Sequence, residues 1–124
     1  MATTRPVFLE LWRIRLPLPG IVSILHRVSG VLLVLAIPVL TSLFAAALSG
    51  PEGFAAAASM VGSPLFKLLL LLLGWALLHH LFAGLRYLAI DLGWGVDRNP
   101  ARKSAWTALI AALVVTLIFG GTLL

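Results

Sequence analysis

The feature that most constrains this chain is an unbroken run of leucines from Leu68 to Leu73, inside an apolar segment that extends over residues 65–92. A helix needs roughly 20 apolar residues to cross ~30 Å of hydrocarbon, where every backbone polar group must be bonded within the segment. Residues 21–48 and 104–124 form two further segments of this kind. Because these runs are continuous and not alternating, they predict helices and not barrel strands. The sequence therefore predicts an all-α integral membrane protein with three transmembrane helices in a single domain, residues 1–124.

The charges are placed asymmetrically about these three segments. The chain carries 9 Lys and Arg against 4 Asp and Glu, for a net charge of +5. Only Lys67 falls near one side of the predicted membrane, and the other basic residues fall on the side of the N-terminus and the second loop. These are Arg5, Arg13, Arg15, Arg27, Arg86, Arg98, Arg102 and Lys103. This positive-inside pattern predicts a cytoplasmic N-terminus and a C-terminus on the far side, and it accounts for the basic charge without a nucleic-acid partner.

The remaining segments suggest structural roles. Residues 1–19 form a basic, proline-containing arm that we expect along the headgroups or against a partner. Pro38 removes a backbone hydrogen bond inside the first span and should bend it. Residues 49–54 form a turn cluster, and the alanine-rich residues 55–64 suggest a short interfacial helix. The last span carries small residues that let helices pack closely in membranes. They are Ser104, Ala108, Ala111 and Ala112.

The second span carries two histidines that point in different directions. At about 100° per helical residue, His80 shares a stripe with Gly84, Tyr87 and Asp91, whereas His79 shares one with Arg86. One helix therefore cannot supply both axial ligands to a single iron. A membrane histidine suggests either haem or metal ligation or a hydrogen bond between helices, since its nitrogens need partners there.

His80 is the better candidate ligand of the two, because Gly84 removes a side chain where a flat macrocycle would approach. The chain has no cysteine, so a thiolate-ligated metal is excluded.

A second polar constellation opens the first span, in the stretch "SILHRVSG". Ser23 and Arg27 lie one helical turn apart and face the same way. A hydroxyl and a guanidinium at the membrane edge can bond the carbonyl oxygen of an amphiphilic ligand, and the adjacent His26 can bond a carboxylate. The alternative is that Arg27 reaches the phosphate headgroups and Ser23 bonds its own backbone.

Taken together, these stretches resemble the cytochrome b membrane-anchor subunit of bacterial succinate dehydrogenase, the larger of its two anchors. The resemblance is carried by "RPVFLELWRIRLPLPGIVSILHRVSG", "SGPEGF" and "HHLFAGLRYLAIDLG", and it extends over nearly the whole chain. It implies a haem-binding helical bundle shared with a small second anchor subunit in the bacterial inner membrane. The partners it implies are that small anchor, an iron–sulfur subunit and a flavoprotein subunit that oxidises succinate.

The resemblance also implies roles for individual residues. His80 would be the haem b axial ligand of this chain, with the second ligand from the small anchor, and Ser23 and Arg27 would line a ubiquinone site. His26 and Arg86 would neighbour the haem propionates, and Asp91 would belong to the cytoplasmic rim.

Tyr87 marks a departure, because many relatives have a second histidine just after the arginine. This difference bears on one contact at the haem edge and not on iron ligation.

Three other readings remain. One is the anchor of a quinol:fumarate reductase, which runs the same chemistry in reverse. Another is a haem-free scaffold, in which His80 and Arg86 would only form hydrogen bonds between helices. The third is a transporter, which would be expected to show internal repeats.

Within the haem reading, His26 is an alternative second ligand. At ~1.5 Å per residue, His80 lies ~16 Å along its helix from Asp91, and His26 lies ~8 Å along its helix from Ile21. Because Asp91 and Ile21 are predicted at the same side of the membrane, the two histidines should differ in depth by several ångströms. This difference favours a second ligand from the partner.

Overall fold

The chain is a bundle of helices in the computed structural model, which describes residues 14–122. Helix α1 spans Leu18–Ala47, α2 spans Pro51–Gly62, α3 spans Pro64–Asp91 and α4 spans Arg98–Gly120. Within the described residues there is no strand. Helices α1, α3 and α4 are long and apolar enough to cross a membrane, whereas α2 is a short connecting helix. The prediction of an all-α membrane protein with three spans is confirmed, and the short helix after the first span is present.

The helix boundaries differ from the apolar boundaries most at α4. This helix begins at Arg98, although the apolar segment begins only near residue 104. Its first turn is polar, so hydropathy alone misses it. The end of the predicted third span, residues 123–124, lies outside the described residues, as does the arm up to residue 13.

The connection between α1 and α2 is shorter than the predicted turn over residues 49–54. Helix α2 already begins at Pro51, whose fixed φ suits the first helical position. Gly50 precedes it with φ 130°, a conformation that L side chains rarely adopt. Its carbonyl accepts a hydrogen bond from the Phe54 amide at 2.9 Å, which closes the first turn of α2.

Proline also marks the interior of α1, which remains helical through Pro38. The hydroxyls of Thr41 and Ser42 donate to the carbonyls of Ile37 and Pro38 at 2.7 and 2.8 Å. Such bonds satisfy hydroxyl groups that have no water in the hydrocarbon. The bend at Pro38 stays a prediction.

Packing between the helices relies on small residues. Helix α4 packs more extensively on α3 than on α1. The buried residues of α4 recur at helical spacing and are Ala105, Ala108, Ala112, Thr116 and Gly120. Burial of Ala108 and Ala112 confirms the predicted small-residue face, whereas Ser104 and Ala111 are half-buried at its edges. At the predicted cytoplasmic end, Val22 of α1, Ala83 of α3 and Ala105 of α4 form the point where the three spans meet.

The tight α3–α4 contact predicts that Ala112→Leu is destabilising. Ala112 is fully buried, so a larger side chain must separate the helices, at a cost of about 1–3 kcal/mol. The measurement is the free energy of unfolding of the detergent-solubilised protein by denaturant titration. Val114→Leu is the matched control, since Val114 is exposed on the same helix. Equal stability of the two variants would contradict this packing.

Candidate functional site

The contact between α1 and α3 brings two histidines together. The rings of His26 and His80 stack with centroids 4.1 Å apart and planes inclined by 10°. The predicted difference of several ångströms in depth stays a prediction, because a centroid distance gives no direction along the membrane normal and Gly30, one turn after His26, is the residue that lies against His80.

Stacking also bears on whether His26 can be the second ligand of one iron. Axial ligands lie on opposite sides of a macrocycle, with the iron between their nitrogens. Two imidazoles stacked face to face at 4.1 Å leave no room for that plane between them. The stacked arrangement is therefore consistent with a second ligand from a partner subunit, which stays a prediction.

Hydrogen bonds determine which nitrogen of the His80 ring carries the proton. Its Nδ1 lies 3.0 Å from the backbone carbonyl of His26 and 3.2 Å from the hydroxyl of Ser29. The Ser29 hydroxyl itself donates to the His26 carbonyl at 2.8 Å. Because a carbonyl only accepts, Nδ1 must carry the proton and donate. The lone pair of the neutral ring is therefore on Nε2, which makes no hydrogen bond to any residue in the range 14–122.

Two glycines lie against these rings, and Gly30 is the one that allows the close approach. A Cβ added to Gly30 of α1 would lie 3.0 Å from Cε1 of His80, which is tight, whereas one added to Gly84 of α3 would lie 3.5 Å from Nε2 of His26, an ordinary contact distance. Each glycine is four residues after the histidine of its own helix and faces the histidine of the other. The ring that Gly84 accommodates in the structure is thus that of His26.

An open groove runs along the outer side of this contact. The cavity has a volume of about 610 Å³ and includes His80 and Arg27 in its wall. The other lining residues are Gly30 and the aliphatic Val31, Leu33, Val34 and Leu35. Residues 14–122 contain no group of three or more His, Cys, Asp or Glu side chains that could hold a metal ion. The groove therefore combines apolar walls, one imidazole that carries a free lone pair, and one guanidinium.

Two other polar residues of α3, Arg86 and His79, do not line this groove, and Arg86 is bonded to α4. Arg86 is 8% exposed, and its Nε and Nη2 donate to the Ser104 hydroxyl at 3.0 Å and to the Ala101 carbonyl at 3.1 Å. His79 is fully buried and stacks on Trp75 at 5.3 Å. Neither His79 ring nitrogen has a hydrogen-bond partner among the described residues. The predicted separation of the two histidines onto different faces is confirmed.

The remaining predicted site residues lie apart from His80. Ser23 is half-buried on α1, and Asp91 is the exposed last residue of α3. Neither lines the groove. Tyr87, which follows Arg86, packs edge-on against the His26 ring at 5.3 Å.

Sequence reasoning missed Ser29 and Gly30. One available signal was the spacing shared by "HRVSG" and "HLFAG", in which a glycine follows a histidine by four residues on two neighbouring helices. The hydrogen bonds of Ser29 had no such signal, because they depend on how α1 and α3 are aligned.

The contact between Arg86 and Ser104 predicts coupled stabilities. In a double-mutant cycle of Arg86→Met and Ser104→Ala we expect a coupling of about 0.6 to 1.7 kcal/mol, the range for polar contacts between membrane helices. Free energies of unfolding in detergent provide the measurement. The control pairs Arg86→Met with Thr107→Ala, because the Thr107 hydroxyl donates to Lys103 and shares no partner with Arg86. That pair should be additive within ~0.5 kcal/mol. Additivity of Arg86 and Ser104 as well would contradict a direct contact.

Comparison with known proteins gives a consistent result over almost the full chain. Residues 1–119 match the family described as Succinate dehydrogenase/Fumarate reductase transmembrane subunit. The succinate dehydrogenase cytochrome b556 subunit of Paracoccus denitrificans is 42% identical over 114 residues, which are 92% of this chain and 87% of the relative. The protein of the same name from Coxiella burnetii is 34% identical over 121 residues, 97% of each chain. The chain therefore belongs to the family of succinate dehydrogenase and fumarate reductase transmembrane subunits.

Proposed function

We propose that this chain is the membrane anchor that docks the flavoprotein and iron–sulfur subunits, binds haem b through His80 and forms part of a ubiquinone-reduction site. Electrons from succinate would pass through the soluble subunits to the quinone at the cytoplasmic edge of this anchor. The observation that carries the proposal is the state of His80, whose Nδ1 donates to the His26 carbonyl at 3.0 Å. This bond leaves Nε2 of the neutral imidazole with a lone pair that is available to bind iron.

The residues around His80 fit a haem. A single imidazole nitrogen is sufficient, because the macrocycle supplies four further ligands and a partner subunit can supply the last. Apolar walls suit the faces of the macrocycle, and the Arg27 guanidinium in the same groove suits a carboxylate at its edge. When bound, the haem supplies one-electron transfer, which the protein tunes through ligand and burial.

The roles of His26 and Arg86 near the propionates are supported unequally. His26 stacks directly on His80 and so lies beside the proposed haem. Arg86 already donates to Ser104 and Ala101 and lies on the α4 side of α3. Arg86 therefore contributes by fixing α4 against α3, and any propionate contact would come in addition to those bonds.

Ser23 and Arg27 are proposed to bind the quinone. Both lie in the early turns of α1, where an isoprenoid tail can remain in lipid while its head group reaches the membrane edge. The hydroxyl and guanidinium would donate hydrogen bonds to a quinone carbonyl, which gains electron density on reduction. Conversion to the quinol takes two electrons and two protons, and the protons would enter from water at this edge, where Asp91 is exposed.

A second anchor subunit is the proposed partner in the membrane. Large apolar side chains are exposed along much of α1, among them Val31, Val34 and Leu35 of the groove wall. A partner helix over this groove would cover these residues and would supply the second ligand to a haem held by His80. An anchor of a fumarate reductase, which the family description includes, would use the same site with electron flow reversed.

The first experiment compares His80→Leu with His79→Leu. Tagged chain is copurified with its partners from the bacterial membrane, and a dithionite-reduced minus oxidised spectrum is recorded for each variant. We expect a b-type band in the parent, its loss or shift in His80→Leu, and its retention in His79→Leu, because His79 does not line the groove. An intact parent complex without this band would refute haem binding and favour the scaffold reading.

Topology is tested separately. We propose that the N-terminus and the loop after α3 are cytoplasmic, because Arg15, Arg98, Arg102 and Lys103 lie at one end of the bundle and Lys67 at the other. An alkaline phosphatase fused after α4 should be active, and one fused within residues 93–97 should be inactive. The reverse activities would contradict this orientation.

A further inference from the structure

We propose that Ser29 is a positioning residue for His80. Its hydroxyl, together with the His26 carbonyl, holds the imidazole in one tautomer and one orientation and thereby sets how strongly Nε2 donates to the iron. This inference rests on the proposed function only in that the group bound at Nε2 is a haem. It concerns a residue to which neither the sequence pattern nor the family resemblance gave a role.

Three contacts form a closed triangle at the inner edge of the ring. Ser29 donates to the His26 carbonyl at 2.8 Å, and His80 Nδ1 lies 3.0 Å from that carbonyl and 3.2 Å from the Ser29 oxygen. Because the single hydroxyl proton is directed to the carbonyl, the Ser29 oxygen presents a lone pair to Nδ1. Ser29 is fully buried, so water does not compete for these atoms. Nδ1 therefore shares its proton between two acceptors.

The triangle selects one of two possible ring orientations. A half-turn of the imidazole about its bond to Cβ would replace Nδ1 with a carbon and direct Cε1, instead of Nε2, outward. That orientation would leave the Ser29 lone pair facing a C–H group in a buried site, where an unmet acceptor is costly. The other sides of the ring are already confined by His26, stacked at 4.1 Å, and by the backbone at Gly30. Ser29, together with these contacts, therefore holds the His80 ring in the orientation that directs Nε2 outward.

The same contact affects the electronic character of Nε2. A hydrogen bond from the second ring nitrogen of a histidine ligand raises the basicity of the ligand. A more basic ligand stabilises ferric iron more than ferrous iron, so it lowers the midpoint potential. Loss of the Ser29 contact should therefore raise the potential. The effect should be partial, because the His26 carbonyl remains as an acceptor.

The test compares Ser29→Ala with Ser42→Ala in the complete copurified complex. Ser42 lies on the same helix and also donates to a backbone carbonyl, that of Pro38, but it is exposed and far along α1 from His80. For each complex we would measure the haem midpoint potential, the electron paramagnetic resonance g values of the ferric haem, and the haem-to-flavin ratio during dilution. Ser29→Ala should raise the potential, shift the g values and weaken haem retention about tenfold, the lower end of the range for loss of such a partner. Ser42→Ala should match the parent.

Two results would overturn the proposal. Parental potential, g values and haem retention in Ser29→Ala would show that the hydroxyl does not act on His80. A lower yield with parental values in the assembled fraction would assign Ser29 to packing alone. If Ser29→Ala does not assemble, Ser29→Cys preserves the volume with a weaker acceptor and should show the same shifts, and parental values there would equally refute the role.

Failure of the proposed function is recognised separately. In that case the parent lacks the b-type band, or His80→Leu retains it unchanged. The Ser29 proposal fails when parent and His80→Leu behave as expected and the Ser29 variants remain parental.

Discussion

The reciprocal contact of histidine with glycine between α1 and α3 is the interaction on which the site depends. Gly30 lies against the ring of His80, and Gly84 lies against the ring of His26. A Cβ at position 30 would lie 3.0 Å from the His80 ring and would push it away, whereas one at position 84 would make an ordinary contact of 3.5 Å with His26. The absence of a side chain at Gly30 thus helps the rings to stack and Nδ1 of His80 to reach a backbone carbonyl of the other helix. In lipid such approach is favoured by small residues, since burial of apolar side chains gains little there.

Helix α3 divides its polar residues between two neighbours. His80 lies against α1 and lines the groove, whereas Arg86 is bonded to α4 and His79 is buried outside the groove wall. Adjacent histidines in one helix therefore have different surroundings. Arg86 connects the C-terminal part of α3 to the first turns of α4, through bonds to Ala101 and Ser104. The groove face is thereby left open for a ligand while the opposite face stabilises the bundle.

The sequence predicted those features that depend on a single helix. Hydropathy located the three spans, and angular spacing separated His79 from His80. It failed where the answer depended on the alignment of two helices, because periodicity contains no information on how far one helix slides along another. The stacking of His26 on His80 and the hydrogen bonds of Ser29 were missed for that reason. The polar first turn of α4 was missed because hydropathy reports contact with lipid and not helix formation.

The reciprocal contact also has a consequence for electron transfer. Sliding α1 against α3 by one residue displaces atoms by ~1.5 Å and would remove both glycine–histidine contacts at once. The contact therefore opposes sliding of α1 along α3 and keeps the two helices in one register. His80 is on one helix, and Ser23 and Arg27 are on the other. This register holds His80, the proposed iron ligand, at a constant distance from the proposed quinone residues, and with it the length of the gap that an electron would cross between them.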